Sequence, residues 1–269
     1  MRSTFKHPVG APPAPSALLL AVALAAVQPL AALTAHATPQ AGAPWQDADR
    51  DRLRDEAVAK LQALLRIDTS NPPGNEAPAA ELVATWLRAA GIEAKLHETA
   101  PGRKAVVARL KGSGAREPLL LLNHLDVVPA EAEKWTHPPF SGTRAGNEIW
   151  GRGALDMKNL GVMQLVAFLE LKRTGAKLDR DVIFCATPDE EAGGEFGVGW
   201  LVKNARADIQ ASEVLNEGSM GIRPLGGKPL VGIACAERGA LWVRLKAGGK
   251  PGHGSLDRPD GATRKLLRA

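Results

Sequence analysis

Four short segments of the sequence hold side chains able to bind a cation or move a proton. Asn123-His124-Leu125-Asp126 ends an apolar run, and Asp156 lies in Gly151-Arg152-Gly153-Ala154-Leu155-Asp156-Met157-Lys158. Asp189-Glu190-Glu191 follows DVIFCATP, and Asn216-Glu217 follows a short apolar stretch. Alternation along a strand puts His124 and Asp126 on one side. An imidazole whose second ring nitrogen is held by a carboxylate suits a metal ligand. Taken alone, each segment also has a plainer structural reading. The first is a polar strand end, Asp156 a helix cap, and the acidic triplet a solvated turn. Gly151-Arg152-Gly153 lacks the glycine spacing and terminal Lys-Ser/Thr of a phosphate loop. Three successive carboxylates repel one another unless cations offset them. Together the segments offer His124, Asp156, Glu190, Glu191 and Glu217, a set that fits zinc or a similar borderline cation. With so many carboxylates, one can bridge two ions while another stays free as a base.

The elements that must position these groups follow from periodicity. Leucines and alanines at helical spacing predict a helix from Asp47 to about Arg66, then a rigid turn over Asp68-Thr69-Ser70-Asn71-Pro72-Pro73-Gly74. A second helix is predicted over Glu76 to Ala90, stopped by Gly91. Strands are predicted at Lys104 to Leu110, Pro118 to Val128, Asp181 to Thr187 and Glu213 to Asn216, with helices at Leu160 to Thr174 and Val198 to Ala205. Runs such as LLLLN and VIFCAT are apolar on both faces, as strands covered on both sides must be. The alternation predicts an α/β fold: a three-layer domain with a mostly parallel central sheet. Ligands in such sheets collect beyond the carboxyl ends of the strands, where the four segments lie. From Glu237 the pattern changes. GALWVRLKAGG reads as a strand with one wet face, Pro251-Gly252-His253-Gly254-Ser255 as a turn, and a helix begins near Gly261. Residues 237–269 thus read as the start of a small α+β lid or dimerisation domain, after a catalytic domain at 38–236.

Composition narrows the function classes. The chain has 269 residues, 45% hydrophobic and 23% charged, with a formal charge of +5. Arg2 and Lys6 belong to a segment expected to be removed, which brings the charge to +3. That balance, with no basic run and no Tyr, argues against a nucleic-acid partner. Residues 1–37 predict a secretory signal: a basic start, the apolar run Ala17 to Val27, Pro29, and the small-x-small pattern Ala35-His36-Ala37. The apolar run is shorter than the ~20 residues a bilayer span needs. The mature chain is therefore expected to begin at Thr38, to be exported to the periplasm or beyond, and to have no stable membrane span. Cys185 and Cys235 both lie in apolar runs and read as buried side chains rather than a bridge.

The segments HLDVVP, WTHPPFSG, IWGRGALDMKNLG, ATPDEEAGGEFG, NEGS and GKPGHGS resemble, in order and spacing, a di-zinc metallopeptidase family. Its members include aminoacylase, carboxypeptidase G, carboxypeptidase S, acetylornithine deacetylase and succinyl-diaminopimelate desuccinylase. The resemblance runs from about Asp47 to the last residue. It implies two Zn2+ ions, with Co2+ a possible substitute. His124, Asp156 and Glu217 would hold one ion, and Asp156 would bridge to a second held also by Glu191. By the same resemblance Asp126 would orient His124, and Glu190 would take a proton from the water bridging the metals and pass it to the leaving amine. His253 would stabilise the oxyanion, in a dimer often that of the partner subunit. The family's late histidine ligand of the second zinc has no counterpart here, which leaves that site one ligand short and predicts weak activity. The expected substrate is a small N-acyl amino acid or peptide with a free carboxylate. Two other classes compete: a non-catalytic metal-binding or dimerising relative, and a metal-free carboxylate-pair hydrolase. The retained Glu190 argues against the first, and the His124-Asp126 pair against the second.

Overall fold

The computed structural model describes residues 47–218, 244–250, 259 and 261–268, and the backbone of 222–225 and 228–231. The expected signal, Cys235 and His253 lie outside the described residues. In chain order the elements are α1 (Asp47–Leu65), α2 (Ala77–Ala89), β1 (Ala94–Ala100), β2 (Arg103–Leu110), β3 (Leu119–His124), β4 (Thr143–Ala145), β5 (Glu148–Trp150), α3 (Lys158–Arg173), β6 (Val182–Thr187), α4 (Val198–Asn204), α5 (Arg206–Ile209), β7 (Glu213–Leu215), β8 (Ile222–Leu225), β9 (Lys228–Val231) and α6 (Ala262–Leu266). No described helix is long and apolar enough to cross a membrane.

The central sheet has five strands in the order β1-β2-β6-β3-β7. Every residue of β6 is buried, as the doubly apolar run VIFCAT requires. β3 pairs parallel with both β6 and β7, whereas β2 pairs antiparallel with β6 and β1 antiparallel with β2. The sheet is therefore mixed, and the expectation of a mostly parallel one is corrected. The reason is local. Only Pro101 and Gly102 separate β1 from β2, and Gly102 takes φ +76°. So short a link can form a hairpin but not the crossover that a parallel pair needs.

Two apolar clusters make this a three-layer structure. On one face α1, α2 and α3 bury Leu64, Val83, Leu87, Val162 and Phe168 against Val106, Leu121 and Phe184. The Phe168 and Phe184 ring centroids are 5.9 Å apart. On the other face α4 and α5 place Leu201 and Ile209 over Val107, Leu120, Ile183 and Cys185. Cys185 is a fully buried thiol, and burial pushes its pKa up to about 12. α1 is tied across the first layer by polar contacts as well. Arg52 bonds Glu170 of α3 at 2.8 Å, and the buried Lys158 amine donates to Leu64 O and Ile67 O at the end of α1.

The strand expected over Pro118 to Val128 stops at His124. Beyond it the chain leaves the sheet to meet the turn after α1: Asn71 N donates to Val127 O at 2.8 Å and Val127 N to Thr69 O at 3.1 Å. The other expected elements form within a few residues of their predicted bounds. In the last region, the helix near Gly261 forms as α6. The strand expected over GALWVRLKAGG does not extend through 244–250, where no described strand pairs with it; residues 239–243 lie outside the described residues.

Asp181 fastens the start of β6 to the end of β2. It accepts from Gly112 N and Lys111 Nζ, each at 2.9 Å, and from Arg109 Nη1 at 3.0 Å. Burial opposes its charge, but these donors outweigh it and hold the carboxyl at about 2. A depressed folded-state pKa stabilises above the ordinary carboxyl range and is lost as pH falls through the folded value. Asp181→Asn should therefore cost about 1–2 kcal/mol at pH 7, and the difference should shrink between pH 4 and pH 2. Urea unfolding of both proteins across that range measures it; a gap independent of pH would refute the ionic origin.

Candidate functional site

His124 is the last residue of β3 and only 2% exposed. Its ring is fixed from behind: Nδ1 lies 2.9 Å from Asp126 O and 3.4 Å from Asp126 Oδ1. Nε2 then faces the rim, 3.2 Å from Asp156 Oδ1, 3.2 Å from Glu217 Oε1 and 3.7 Å from Glu190 Oε2. Three segments far apart in sequence meet here because β3, β6 and β7 are parallel and end at one edge of the sheet.

Asp126 is fully buried, and its carboxylate does more than the sequence suggests. Oδ1 accepts from Glu190 N at 3.0 Å, while Oδ2 accepts from Glu191 N at 3.0 Å and Asn71 Nδ2 at 2.9 Å. The expected link to His124 runs chiefly through the Asp126 backbone carbonyl. The carboxylate instead sets the direction of the acidic turn. Burial alone would raise its pKa, but the hydrogen bonds from His124 and Asn71 and the His124 charge hold it below the usual range. Asp156 reaches the rim from the loop before α3. There Gly153 takes φ +86°, and a Cβ would stand 2.7 Å from Val127. The N-cap of α3 is Met157, with no side-chain cap bond, while Asp156 turns towards His124.

Two sets of side chains among the described residues place ligand atoms within 4.8 Å of one another: His124, Asp156 and Glu191, and His124, Glu190 and Glu217. Bonds of ~2.0–2.2 Å to a shared zinc are compatible with such separations after small side-chain rotations. The grouping differs in part from the sequence expectation, which set Glu190 apart as the base; here Glu190 shares a set with Glu217. The local charge is unbalanced without a cation. Burial and the Asp156 charge raise the pKa of Glu191, and burial with Asp156 and Glu190 raises that of Glu217 despite His124. Burial would lower the His124 pKa, but Asp126, Glu217 and Glu190 push it up to about 9. A cavity of about 230 Å³ opens beside His124 and Glu190, with Leu122, Pro188 and Val198 on its apolar wall.

Two polar residues joined to the acidic triplet, Asn71 and Arg103, carried no sequence signal of a role in the site. Asn71, Arg103 and Asp189 are all buried and joined: Asn71 Nδ2 lies 3.1 Å from Asp189 Oδ1, and Arg103 pairs with Asp189. The Asn-Pro-Pro-Gly turn was legible as a turn, not as part of a site. His97 pairs with Asp208 at 3.0 Å, and His137 packs on Trp150 with centroids 5.1 Å apart; neither joins the cluster. His253 lies outside the described residues.

Residues 120–230 match the sequence profile of Peptidase family M20/M25/M40. The chain is 33% identical over 213 residues to aminoacylase-1 of Sus scrofa, covering 78% of this chain and 51% of that protein. It is 39% identical over 144 residues to the N-fatty-acyl-amino acid synthase/hydrolase PM20D1 of Mus musculus, covering 52% of this chain and 28% of that protein. Among solved structures it is similar to the M20 family metallo-carboxypeptidase Sso-CP2 from Sulfolobus solfataricus, with a TM-score of 0.53 and 28% identity over 62% of this chain and 38% of that one. The chain spans about half the length of the aminoacylase that it matches.

In the metal-free chain, His124 should stay protonated until about pH 9. A raised folded-state pKa stabilises fully below the unfolded value near 6.5, and that contribution is lost as pH rises through 9. Asp126→Asn should bring the His124 titration down by a unit or more, about 1.4 kcal/mol for each unit. Imidazole NMR titration of both proteins reads this directly; an unchanged midpoint in Asp126→Asn would show that Asp126 does not hold the charge.

Proposed function

We propose that this chain, whose residues 120–230 match Peptidase family M20/M25/M40, hydrolyses an amide bond in a small N-acyl amino acid or peptide carrying a free carboxylate. The observation that carries this reading is the convergence of His124, Asp156, Glu190, Glu191 and Glu217 on one rim, beside a cavity with an apolar wall. One relative is named for N-fatty-acyl-amino acids and a solved one as a metallo-carboxypeptidase, which supports that substrate class.

The donor set fits two zinc ions, with cobalt as a substitute: one imidazole and several carboxylates, already close and short of positive charge. Divalent cations bound there would polarise the scissile carbonyl and acidify a water. The protein's own groups account for the rest. His124 presents Nε2 because Asp126 holds Nδ1. Glu191 and Asp156 supply carboxylates within 4.8 Å of each other and of the His124 ring. Glu190, half exposed and lining the cavity, takes a proton from the attacking water. It then delivers that proton to the amine as the C–N bond breaks, so the products are a carboxylic acid and a free amine. We further propose, on the sequence resemblance, that His253 serves the oxyanion, that 237–269 contributes to a homodimer, and that the chain is exported.

A second reading has one observation in its favour. Glu190 falls in a ligand set with His124 and Glu217; if it is a ligand, no free base remains, and the chain is a non-catalytic metal-binding relative. Glu190→Gln separates the two. As a base, Glu190 contributes ~10²–10⁴-fold to turnover, so the variant should lose that much activity while retaining its metal. Loss of metal from both Glu190→Gln and Glu191→Gln would favour the non-catalytic reading, whereas loss from Glu190→Gln alone would reverse the roles of the two glutamates.

Both ligand sets share His124, whose Nδ1 is engaged, so its one free nitrogen can serve only one ion. The other ion is left with carboxylates. Metal titration of the 269-residue chain should find one tight equivalent of zinc and a second at least ~10-fold weaker. Binding at pH 7 should also release a proton, because His124 with a pKa of about 9 must give one up. Calorimetry in buffers of different ionisation enthalpy measures both. Two equal tight equivalents without proton release would contradict the sharing of His124.

A further inference from the structure

Arg103 is the first residue of β2, is buried, and touches none of the rim groups described above. Its guanidinium nevertheless makes several contacts. Nη1 donates to Asp189 Oδ1. Nη2 donates to Asn71 Oδ1 and to Pro73 O, each at 2.6 Å. Phe196 lies against the group, 5.6 Å from ring centroid to Cζ. Space for it exists because residue 74 is glycine: a Cβ there would stand 1.9 Å from Nη2.

These contacts transmit an orientation. A guanidinium only donates, so the oxygen of the Asn71 amide must face Arg103 and its NH2 must face the other way. That NH2 donates to Asp126 Oδ2 at 2.9 Å and to Asp189 Oδ1 at 3.1 Å. Asp126 in turn holds the Glu190 and Glu191 amides, each at 3.0 Å. Arg103 acts on the same turn from its other end. Asp189 sits at φ +73°, in the left-handed region that a non-glycine residue adopts only at a cost. Its carboxylate is held between Arg103 on Oδ1 and Phe196 N on Oδ2, at 2.9 Å. The turn that aims Glu190 and Glu191 is therefore fixed at Asp126 and at Asp189, and Arg103 determines both.

We propose that Arg103 is a positioning residue for the acidic turn, acting through Asn71 and Asp189 to hold Glu190 and Glu191 at the rim. What the turn then holds rests on the metal reading above; the positioning itself does not. Lysine cannot replace it, because an ammonium on a flexible stem lacks the planar fork that meets Asp189, Asn71 and Pro73 together.

The test compares Arg103→Lys with the unaltered 269-residue chain, using two readouts on folded protein. The first is amide hydrogen exchange without metal: protection at Glu190 and Glu191 should fall about tenfold or more, while β3 and β6 keep theirs. The second is zinc affinity by competition with a chromophoric chelator, which should fall about 10–100-fold, as loss of an outer-sphere partner does. Arg109→Lys, on the same strand and paired with Asp181, is the control: it should lower the melting temperature without moving either readout. Where Arg103→Lys does not fold, Asn71→Asp serves. It keeps an acceptor towards Arg103, removes the donor towards Asp126, and should expose the Glu191 amide in the same way. Unchanged exchange and affinity in the folded variants would overturn the proposal. Faster exchange in a chain whose unaltered form binds no zinc would uphold the positioning role and sink the metal reading instead.

Discussion

β3 and β6 run parallel and in register from Leu119 opposite Val182 to His124 opposite Thr187, and the placement of the site follows from that pairing. Both strands are apolar along their length and buried between helical layers, so a slip by one residue would turn core side chains towards the wrong face. The register is fixed by burial, and their polar ends must then emerge at the same height. β7 joins β3 in the same direction, with Leu121 opposite Leu215, and brings Glu217 to that height too. Hydrophobic packing thus places a histidine and carboxylates together, although those groups repel or compete when no cation offsets them.

Most of this was legible in the sequence. The apolar runs gave the strands, their ends gave the rim groups, and the geometry brings His124, Asp156, Glu190, Glu191 and Glu217 together as the strand-end reading expected. Two things were not legible. The direction of β1 and β2 depends on a two-residue link at Pro101-Gly102, and strand periodicity is blind to direction. The partners of Asp126 were hidden for another reason. Asn71, Arg103 and Asp189 come from a turn, a strand start and a loop, and nothing in residue type or spacing marks three such positions as neighbours. Asp126 was expected to serve His124; its carboxylate chiefly serves the backbone of the acidic turn, a role that needs the fold to be seen.

Buried charge near the site is arranged in a way that limits its cost. Arg103 lies between Asp189 and Glu76, but the contacts are unequal: Asp189 is bonded, whereas Glu76 Oε2 is 3.8 Å from Nε and neither of its oxygens has a hydrogen-bond partner. Burial raises the Glu76 pKa to about 7, against the pull of Arg103. One buried arginine therefore faces one committed carboxylate and one that burial keeps partly protonated near pH 7, which limits the uncompensated charge in a buried place.

The same pairing changes what the triplet Asp189-Glu190-Glu191 implies. Three adjacent carboxylates look like a demand for external cations, and by sequence alone they weigh equally. In the fold they do not. Asp189 turns inward and is neutralised by Arg103, a cation the chain itself supplies, while its left-handed backbone sends Glu190 and Glu191 outward to the rim. Only those two add to the charge of Asp156 and Glu217 around His124. Burial first, and that residual charge with it, raises the pKa of Glu191 and Glu217, and the same charge raises that of His124 against burial, so protons are favoured in this cluster. A divalent ion entering the rim would compete with those protons rather than with Arg103. The inner carboxylate can thus keep its structural task whether or not the outer ones are protonated or occupied.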